Sequence, residues 1–95
     1  MRVQWSRSAK ADLDEIVRFI HRRNPQAAKR VKKAIVQSTF KLGQFPDIGR
    51  ATLRRGYRLL VVTGLPYLLG YRVMSDYVEI GAVFDGRADR PPDIY

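Results

Sequence analysis

The chain has 95 residues, of which 45% are hydrophobic and none is cysteine, and its 18 Lys and Arg residues exceed its 9 Asp and Glu residues to give a net charge of +9. This composition excludes disulfides and thiolate chemistry, and no apolar run reaches the ~18 residues that a membrane-spanning helix needs. We therefore expect one domain over residues 1–95, a cytoplasmic location, no metal and no cofactor.

The positive charge is concentrated in the first part of the chain. Residues 1–55 contain 14 basic and 4 acidic side chains, a net of +10, whereas residues 56–95 contain 4 basic and 5 acidic side chains, a net of −1. A one-sided positive field attracts nucleic acid or an acidic protein segment. A solvated cationic surface without a specific partner is the other interpretation.

The first half of the sequence predicts a short strand followed by two helices. The strand covers residues 3–5, and serines directly after it can cap a helix. Apolar residues then recur with helical spacing until Asn24-Pro25, which ends the first helix and begins a second one that ends near Gly43. So short a connection predicts an antiparallel helical hairpin.

The second half predicts three strands near residues 58–63, 67–74 and 77–84, joined by short Gly/Pro and Ser/Asp connections. Short connections favour an antiparallel meander. The two prolines of the tail predict that residues 88–95 are irregular. The predicted fold class is therefore α+β, in the order β-α-α-β-β-β, with the helical hairpin packed on a small antiparallel sheet.

Between the second helix and the strands, Phe45-Pro46-Asp47-Ile48-Gly49 is typical of a turn-rich loop. We expect Phe45 and Ile48 to attach this loop to the core by burying their side chains. The tyrosines of the strands are expected to be half-buried sheet residues, since base stacking would require them to be exposed together on one face.

Short motifs occur in a definite order from Val3 to about Arg87. They are Trp5-Ser6, Ala11-Asp12-Leu13, Asn24-Pro25-x-Ala27-Ala28, Phe45-Pro46-Asp47-Ile48-Gly49-Arg50, Gly56-Tyr57-Arg58, Pro66-Tyr67 and Tyr71-Arg72-Val73. In order and spacing they resemble the RelE/ParE superfamily, the toxins of type II toxin–antitoxin modules. The Asn-Pro-x-Ala-Ala break and the Pro-Tyr strand are more similar to the ParE branch than to the RelE branch.

This resemblance implies a bacterial, cytoplasmic protein that arrests growth unless a cognate antitoxin masks it. ParE-like members poison DNA gyrase without a recognised catalytic site, whereas RelE-like members cleave mRNA in the ribosome. We predict a ParE-like toxin that inhibits gyrase and is not itself an enzyme. The alternatives are a RelE-like ribosome-dependent, metal-independent mRNA endonuclease and a degenerate, non-toxic binding module.

A metal-independent ribonuclease needs a group that activates the ribose 2′-OH, cations for the phosphate, and an acid for the leaving oxygen. The resemblance places Arg58 on the arginine with which RelE-like enzymes contact phosphate, but their lysine positions fall on Gly49 and Ala51. The only histidine, His21, is expected to be a residue at the C-terminal end of the first helix.

The turn after the last strand also departs from the nuclease pattern. Where many relatives have a His-Gly-Arg-like turn, this chain has Asp85-Gly86-Arg87, and an aspartate repels a phosphodiester. No catalytic residue is assigned for these reasons. If the chain is a nuclease, the residues implied are Arg58, Arg87 and Tyr95, the last of which follows two prolines that disturb the spacing.

Four arginines are the predicted target-binding residues: Arg58, Arg72, Arg87 and Arg90. For Arg58 and Arg72 the sequence equally allows internal ion pairs across neighbouring strands, with Glu79, Asp76 or Asp85 as partners. Arg87 and Arg90 follow the last strand and are expected to be freer to meet a partner.

The second helix is rich in lysine, and its cations are Lys29, Arg30, Lys32, Lys33 and Lys41. Such a surface can contact DNA phosphates, but only with weak, salt-sensitive affinity. Because no recognition-helix signature accompanies it, we expect operator DNA to be bound only through the antitoxin. The net charge predicts that the antitoxin is an acidic segment, disordered when free, that folds onto this chain.

Overall fold

The computed structural model describes residues 1–87, in which the helices and strands follow one another in the predicted order, with one additional short strand. The elements are β1 (Arg2–Trp5), α1 (Arg7–His21), α2 (Pro25–Gln44), β2 (Arg50–Ala51), β3 (Tyr57–Val61), β4 (Tyr67–Val73) and β5 (Tyr77–Asp85). The additional strand, β2, lies where the sequence predicts no strand. The predicted irregular tail, residues 88–95, lies outside the described residues, together with Arg90 and Tyr95.

Local sequence signals determine where both helices begin. The Ser6 side chain accepts a hydrogen bond from the Ala9 amide at 3.1 Å and caps α1. Asn24 caps α2 in the same way, accepting from the Ala27 amide at 3.0 Å, and Pro25 occupies the first helical position. Each cap satisfies a backbone amide that has no partner within its helix. The two helices pack against each other as the predicted hairpin.

The five strands form one sheet in the order β1-β5-β4-β3-β2. Neighbouring pairs are antiparallel except that β1 runs parallel to β5, so the sheet is mixed rather than wholly antiparallel as predicted. A parallel pair requires a long crossover between its strands, which the intervening helices and strands supply. A register shift between Gly70 and Tyr71 interrupts the β4–β5 pairing.

The core lies between the helical hairpin and one face of the sheet. Its buried residues are Ala9, Leu13, Ile35, Leu42, Val62, Tyr67, Leu69, Tyr71, Val78, Ile80 and Val83. The Asp12 carboxylate adds a polar link between the layers, because it accepts the Val83 amide at 3.0 Å. Neither helix of residues 1–87 has the length and apolar character required to cross a membrane.

The other face of the sheet is not covered by α1 or α2, and we call it the open face. Side chains alternate between the two faces along a strand. Because Leu69 and Tyr71 of β4 lie in the core, their neighbour Arg72 lies on the opposite side. The cross-strand register then assigns further residues to the open face. It comprises Tyr57, Leu59, Val61, Leu68, Arg72, Glu79 and Phe84, of which Leu59 is only 2% exposed.

Candidate binding site on the open face of the sheet

A row of polar side chains crosses the open face at one level of the sheet. Tyr57 of β3 lies opposite Arg72 of β4, which lies opposite Glu79 of β5. Residues that face each other in neighbouring strands have side chains close enough to interact. The strand register therefore places a phenol, a guanidinium and a carboxylate side by side.

Arg72 is held firmly in this row. Its Nε donates to Glu79 Oε1 at 3.0 Å, and its guanidinium carbon lies 5.6 Å from the centroid of the Tyr57 ring. The hydrogen bond to Glu79 is the main reason why the pKa of Arg72 lies above its usual value. The Arg72 side chain keeps 38% of its surface exposed, so it can still contact another molecule.

Tyr57 lies between two guanidinium groups. Arg54, from the segment before β3, places its guanidinium carbon 3.9 Å from the Tyr57 ring centroid, and Arg72 contacts the same ring. Cation–π contacts of this kind favour a fixed arrangement of all three side chains. Arg54 is a residue that the sequence analysis did not assign to the site. Its position two residues before the Gly-Tyr-Arg motif was the available signal.

Arg87 follows β5 and lies on the helix side of the sheet rather than in the row, because its Nη2 donates to the hydroxyl of the core residue Tyr67 at 3.5 Å. Its Nε and Nη2 donate to the two oxygens of Asp85 at 3.2 and 3.1 Å, and its backbone amide donates to Asp85 Oδ1 at 2.9 Å. The hydrogen bond with Asp85 is the main cause of the raised pKa of Arg87. Asp85 therefore partly neutralises Arg87, although 66% of the Arg87 side chain stays exposed.

Arg58 has a different environment again, because it lies on the core side of β3, opposite Tyr71. Its Nη1 donates to the Gly49 carbonyl at 2.7 Å and to the Asp47 carbonyl at 3.3 Å, and its Nε lies 3.8 Å from Asp47 Oδ1. Arg58 thus holds the loop after α2. Each of the three described arginines of the predicted site thus has an internal carboxylate partner.

The same loop is held by a buried phenol. The Tyr71 hydroxyl donates to the Pro46 carbonyl at 2.7 Å and accepts from the Gly49 amide at 2.8 Å. Burial is the main cause of the raised pKa of Tyr71. A Cβ atom at Gly49 would lie 2.6 Å from the Tyr71 oxygen and 2.7 Å from the Leu59 carbonyl oxygen, so only glycine fits here.

The prediction that Phe45 and Ile48 attach this loop to the core is wrong. They are 61% and 48% exposed, and Tyr71 and Arg58 do the anchoring instead. Phe45 and Ile48 line one surface pocket, and Met1 and Phe40, which are 51% and 67% exposed, line a second pocket that shares Gln44 with the first. We call these four residues the apolar patch. The exposure of Phe40 could have been predicted from the sequence, because Phe40 lies seven residues after Lys33 and therefore on the same side of α2.

Among the described residues, the open face has no histidine or lysine, although Tyr57 and Glu79 are groups that can transfer protons. The only histidine and all five lysines of the chain lie on α1 and α2, and His21 is the exposed last residue of α1, as predicted. The lysine positions of the RelE pattern are a buried Gly49 and an exposed Ala51. Within residues 1–87, the row offers Arg, Tyr and Glu side chains, which suit recognition of another macromolecule.

A helical hairpin on a small mixed sheet is the fold that the resemblance to the RelE/ParE toxins implies. The family model described as "ParE toxin of type II toxin-antitoxin system, parDE" matches residues 3–90. The chain belongs to this ParE toxin family, which confirms the resemblance inferred from the motifs.

Two individual relatives agree with this membership. The chain is 34% identical over 90 residues to the curated protein named "Putative toxin Y4kP" of Sinorhizobium fredii (strain NBRC 101917 / NGR234), covering 95% of this chain and 93% of the relative. A solved structure of the chromosomal ParDE toxin–antitoxin system from P. aeruginosa is similar with a TM-score of 0.77 and 26% identity, covering 90% of this chain and 95% of that one.

Proposed function

We propose that this chain is a toxin that arrests bacterial growth by inhibiting DNA gyrase through protein–protein contact. Membership of the ParE family supports this proposal, as does the similarity to a chain of a ParDE system. Gyrase acts on chromosomal DNA, so the proposed site of action is the cytoplasm. A cognate antitoxin keeps the toxin inactive until it is removed.

The observation that carries the proposal is the composition of the open face. It presents an arginine and a tyrosine in fixed positions, without the histidine or lysine that would suggest acid–base chemistry. Tyr and Arg are enriched among the residues that contribute most to protein–protein binding. Fixing them before binding reduces the conformational entropy that association would otherwise lose.

The four arginines of the predicted site take different roles in this proposal. Arg72, on the open face, and Arg87, beside Tyr67 on the helix side of the sheet, are the proposed direct contacts, since both remain partly exposed. Arg58 acts by positioning the loop that follows α2. Arg90 lies outside the described residues and is kept as a proposed contact because of its charge alone. The chain contributes binding energy and no covalent step.

The partner proposed for neutralisation is an acidic antitoxin segment. The net charge of +9 favours association with a negatively charged partner and accelerates their encounter. The antitoxin is also the proposed route by which the pair recognises operator DNA.

Controlled expression tests the proposal. The chain is expressed from a tightly repressed promoter, and growth, DNA integrity and transcript integrity are followed after induction. Growth arrest with damaged DNA and intact transcripts is the expected result, and co-expression of the cognate acidic antitoxin should restore growth. Transcripts cut within codons alongside undamaged DNA would indicate the ribosome-dependent endonuclease. Normal growth with abundant folded protein would indicate a non-toxic binding module.

A further inference from the structure

The second helix carries a cluster of cations that the open face and its proposed target do not use. We call this cluster the basic face, and it consists of four exposed residues in the N-terminal half of α2. They are Lys29, Arg30, Lys32 and Lys33. Residues three and four apart share one side of a helix, so these cations project together, away from the buried Ala28 and Ile35.

No carboxylate neutralises the basic face within the part of the chain that the structure describes. None of its four residues takes part in the ion pairs formed within residues 1–87. The sequence has no Asp or Glu between residues 16 and 46, and the first turn of α2 contains no acidic residue, although negative charge there stabilises a helix.

This arrangement lowers the stability of the helix. Lys29 and Lys33 are separated by four residues, and Lys29 and Lys32 by three, so like charges face one another along the helix. A surface kept only for solubility would gain from acidic residues interspersed among the basic ones. A bound polyanion would remove this repulsion by placing negative charge between the side chains.

The chemistry of the basic face favours nucleic acid over protein as its ligand. Lysine is depleted in protein–protein interfaces, which need an apolar centre. The first large, strongly exposed apolar residue of α2 is Phe40, two turns beyond Lys33, so the basic face itself offers no such centre. Lys and Arg side chains are the usual ligands of the phosphate backbone, which they contact independently of base sequence.

We propose that the basic face of α2 binds the phosphate backbone of duplex DNA. Duplex DNA is the polyanion that fits best, because its higher charge density releases more counterions per contact than a single strand does. The basic face lies on α2, which packs on α1, β1 and β5, and it shares no residue with the open face. A toxin bound to a protein through the open face can therefore contact DNA at the same time, whatever that protein is.

The test measures binding of the purified chain to a short, fluorescently labelled duplex DNA as the salt concentration changes. Four phosphate contacts predict a slope of about −3.6 for log K against log salt, which is a loss of about 150-fold in affinity between about 50 and 200 mM salt. Replacing Lys33 alone by Gln should reduce the magnitude of the slope by about 0.9.

Two quadruple variants with the same net charge locate the site. The first replaces Lys29, Arg30, Lys32 and Lys33 by Gln, and the second replaces Arg7, Lys10, Arg50 and Arg55 by Gln. Each lowers the net charge by 4, from +9 to +5. All eight positions are exposed, so both variants should fold, which thermal unfolding verifies. The first variant should lose most of the salt dependence, and the second should keep it.

Three results would overturn the proposal. Equal losses in the two quadruple variants would show that net charge alone attracts DNA. A slope weaker than about −1 for the unmodified chain would show that no multi-contact site exists. Tighter binding of single-stranded RNA of the same length, with the same sensitivity to the Lys29–Lys33 replacements, would assign the basic face to RNA instead.

Discussion

The hydroxyl of Tyr71 accepts the amide hydrogen of Gly49 at 2.8 Å, across 22 residues of sequence. The same oxygen donates to Pro46, and Arg58 holds the Gly49 carbonyl from the neighbouring strand. The loop after α2 therefore has a fixed backbone although two of its large side chains face outward. The loop after α2 therefore differs from an ordinary surface loop, because its backbone is rigid while its apolar side chains are exposed.

Removing the Tyr71 hydroxyl should weaken this anchoring. In Tyr71→Phe the Gly49 amide and the Pro46 carbonyl lose their partner, and leaving buried polar groups unpaired lowers the free energy of unfolding by about 1–3 kcal/mol. Urea unfolding should show a lower midpoint with an unchanged slope. Tyr77→Phe is the matched control, because no hydrogen bond of the Tyr77 hydroxyl occurs within residues 1–87, and it should change stability by less than about 0.5 kcal/mol. Equal effects of the two variants would contradict the anchoring role.

The same phenol should make stability depend on alkaline pH. The folded-state pKa of Tyr71 lies above its usual value of 10.0, mainly because of burial. A raised folded pKa means that the contribution of the phenol is complete below the unfolded pKa and is lost as pH rises through the folded pKa. The difference in unfolding free energy between the unmodified chain and Tyr71→Phe should therefore shrink above about pH 10. A difference that stays constant or grows with pH would show that the sign is wrong.

Because Phe45 and Ile48 of the apolar patch are exposed, replacing either should lower the free energy of unfolding only slightly. Replacing a buried residue would lower it strongly. Phe45→Ser and Ile48→Ser should each lower the free energy of unfolding by less than about 1 kcal/mol, since surface substitutions rarely do more. Ile35→Ala, at a fully buried position of α2, should cost about 2–5 kcal/mol and serves as the reference. If Phe45→Ser were as destabilising as Ile35→Ala, the loop would pack on the core in solution.

Toxicity should depend more on the end of β5 than on the only histidine. Arg87 is largely exposed beside Asp85, in a pocket that it shares with Phe19 and Ile20 of α1, whereas His21 is the exposed last residue of α1 and does not line that pocket. In cells expressing each variant at the same level, Arg87→Ala should weaken growth arrest more than His21→Ala. Equal or reversed effects would reject Arg87 as a contact residue and would indicate that the His21 imidazole takes part in toxicity.

The parts of the fold that the sequence predicted correctly are those with local causes. Ser6, Asn24 and Pro25 determine the helix ends within one turn, so caps and breaks could be recognised from neighbouring residues. The parallel pairing of β1 with β5 could not be predicted from neighbouring residues, because it joins residues more than 70 positions apart. Side chains alternate along a strand in the same way whether its neighbour runs parallel or antiparallel, so this alternation does not predict the pairing.

The candidate site was harder to predict for the same reason. Arg72 and Glu79 are close in sequence across one tight turn, and their pairing was one of the foreseen alternatives. Arg58 instead pairs with Asp47, which lies in a loop whose path depends on the distant Tyr71. The exposure of Phe45 and Ile48 depends on the path of this loop and therefore on its contact with Tyr71. Their hydrophobicity alone predicted that they are buried, which is wrong.

Inhibition of DNA supercoiling by purified gyrase tests the central claim most directly. The chain, its Arg72→Gln variant and an Arg7→Gln control of equal charge are each titrated into the reaction. Inhibition by the chain and by the Arg7→Gln control, with at least about tenfold weaker inhibition by Arg72→Gln, is expected from an Arg contact worth about 1.4 kcal/mol or more. Unchanged supercoiling at every concentration of folded, unmodified chain would contradict the account.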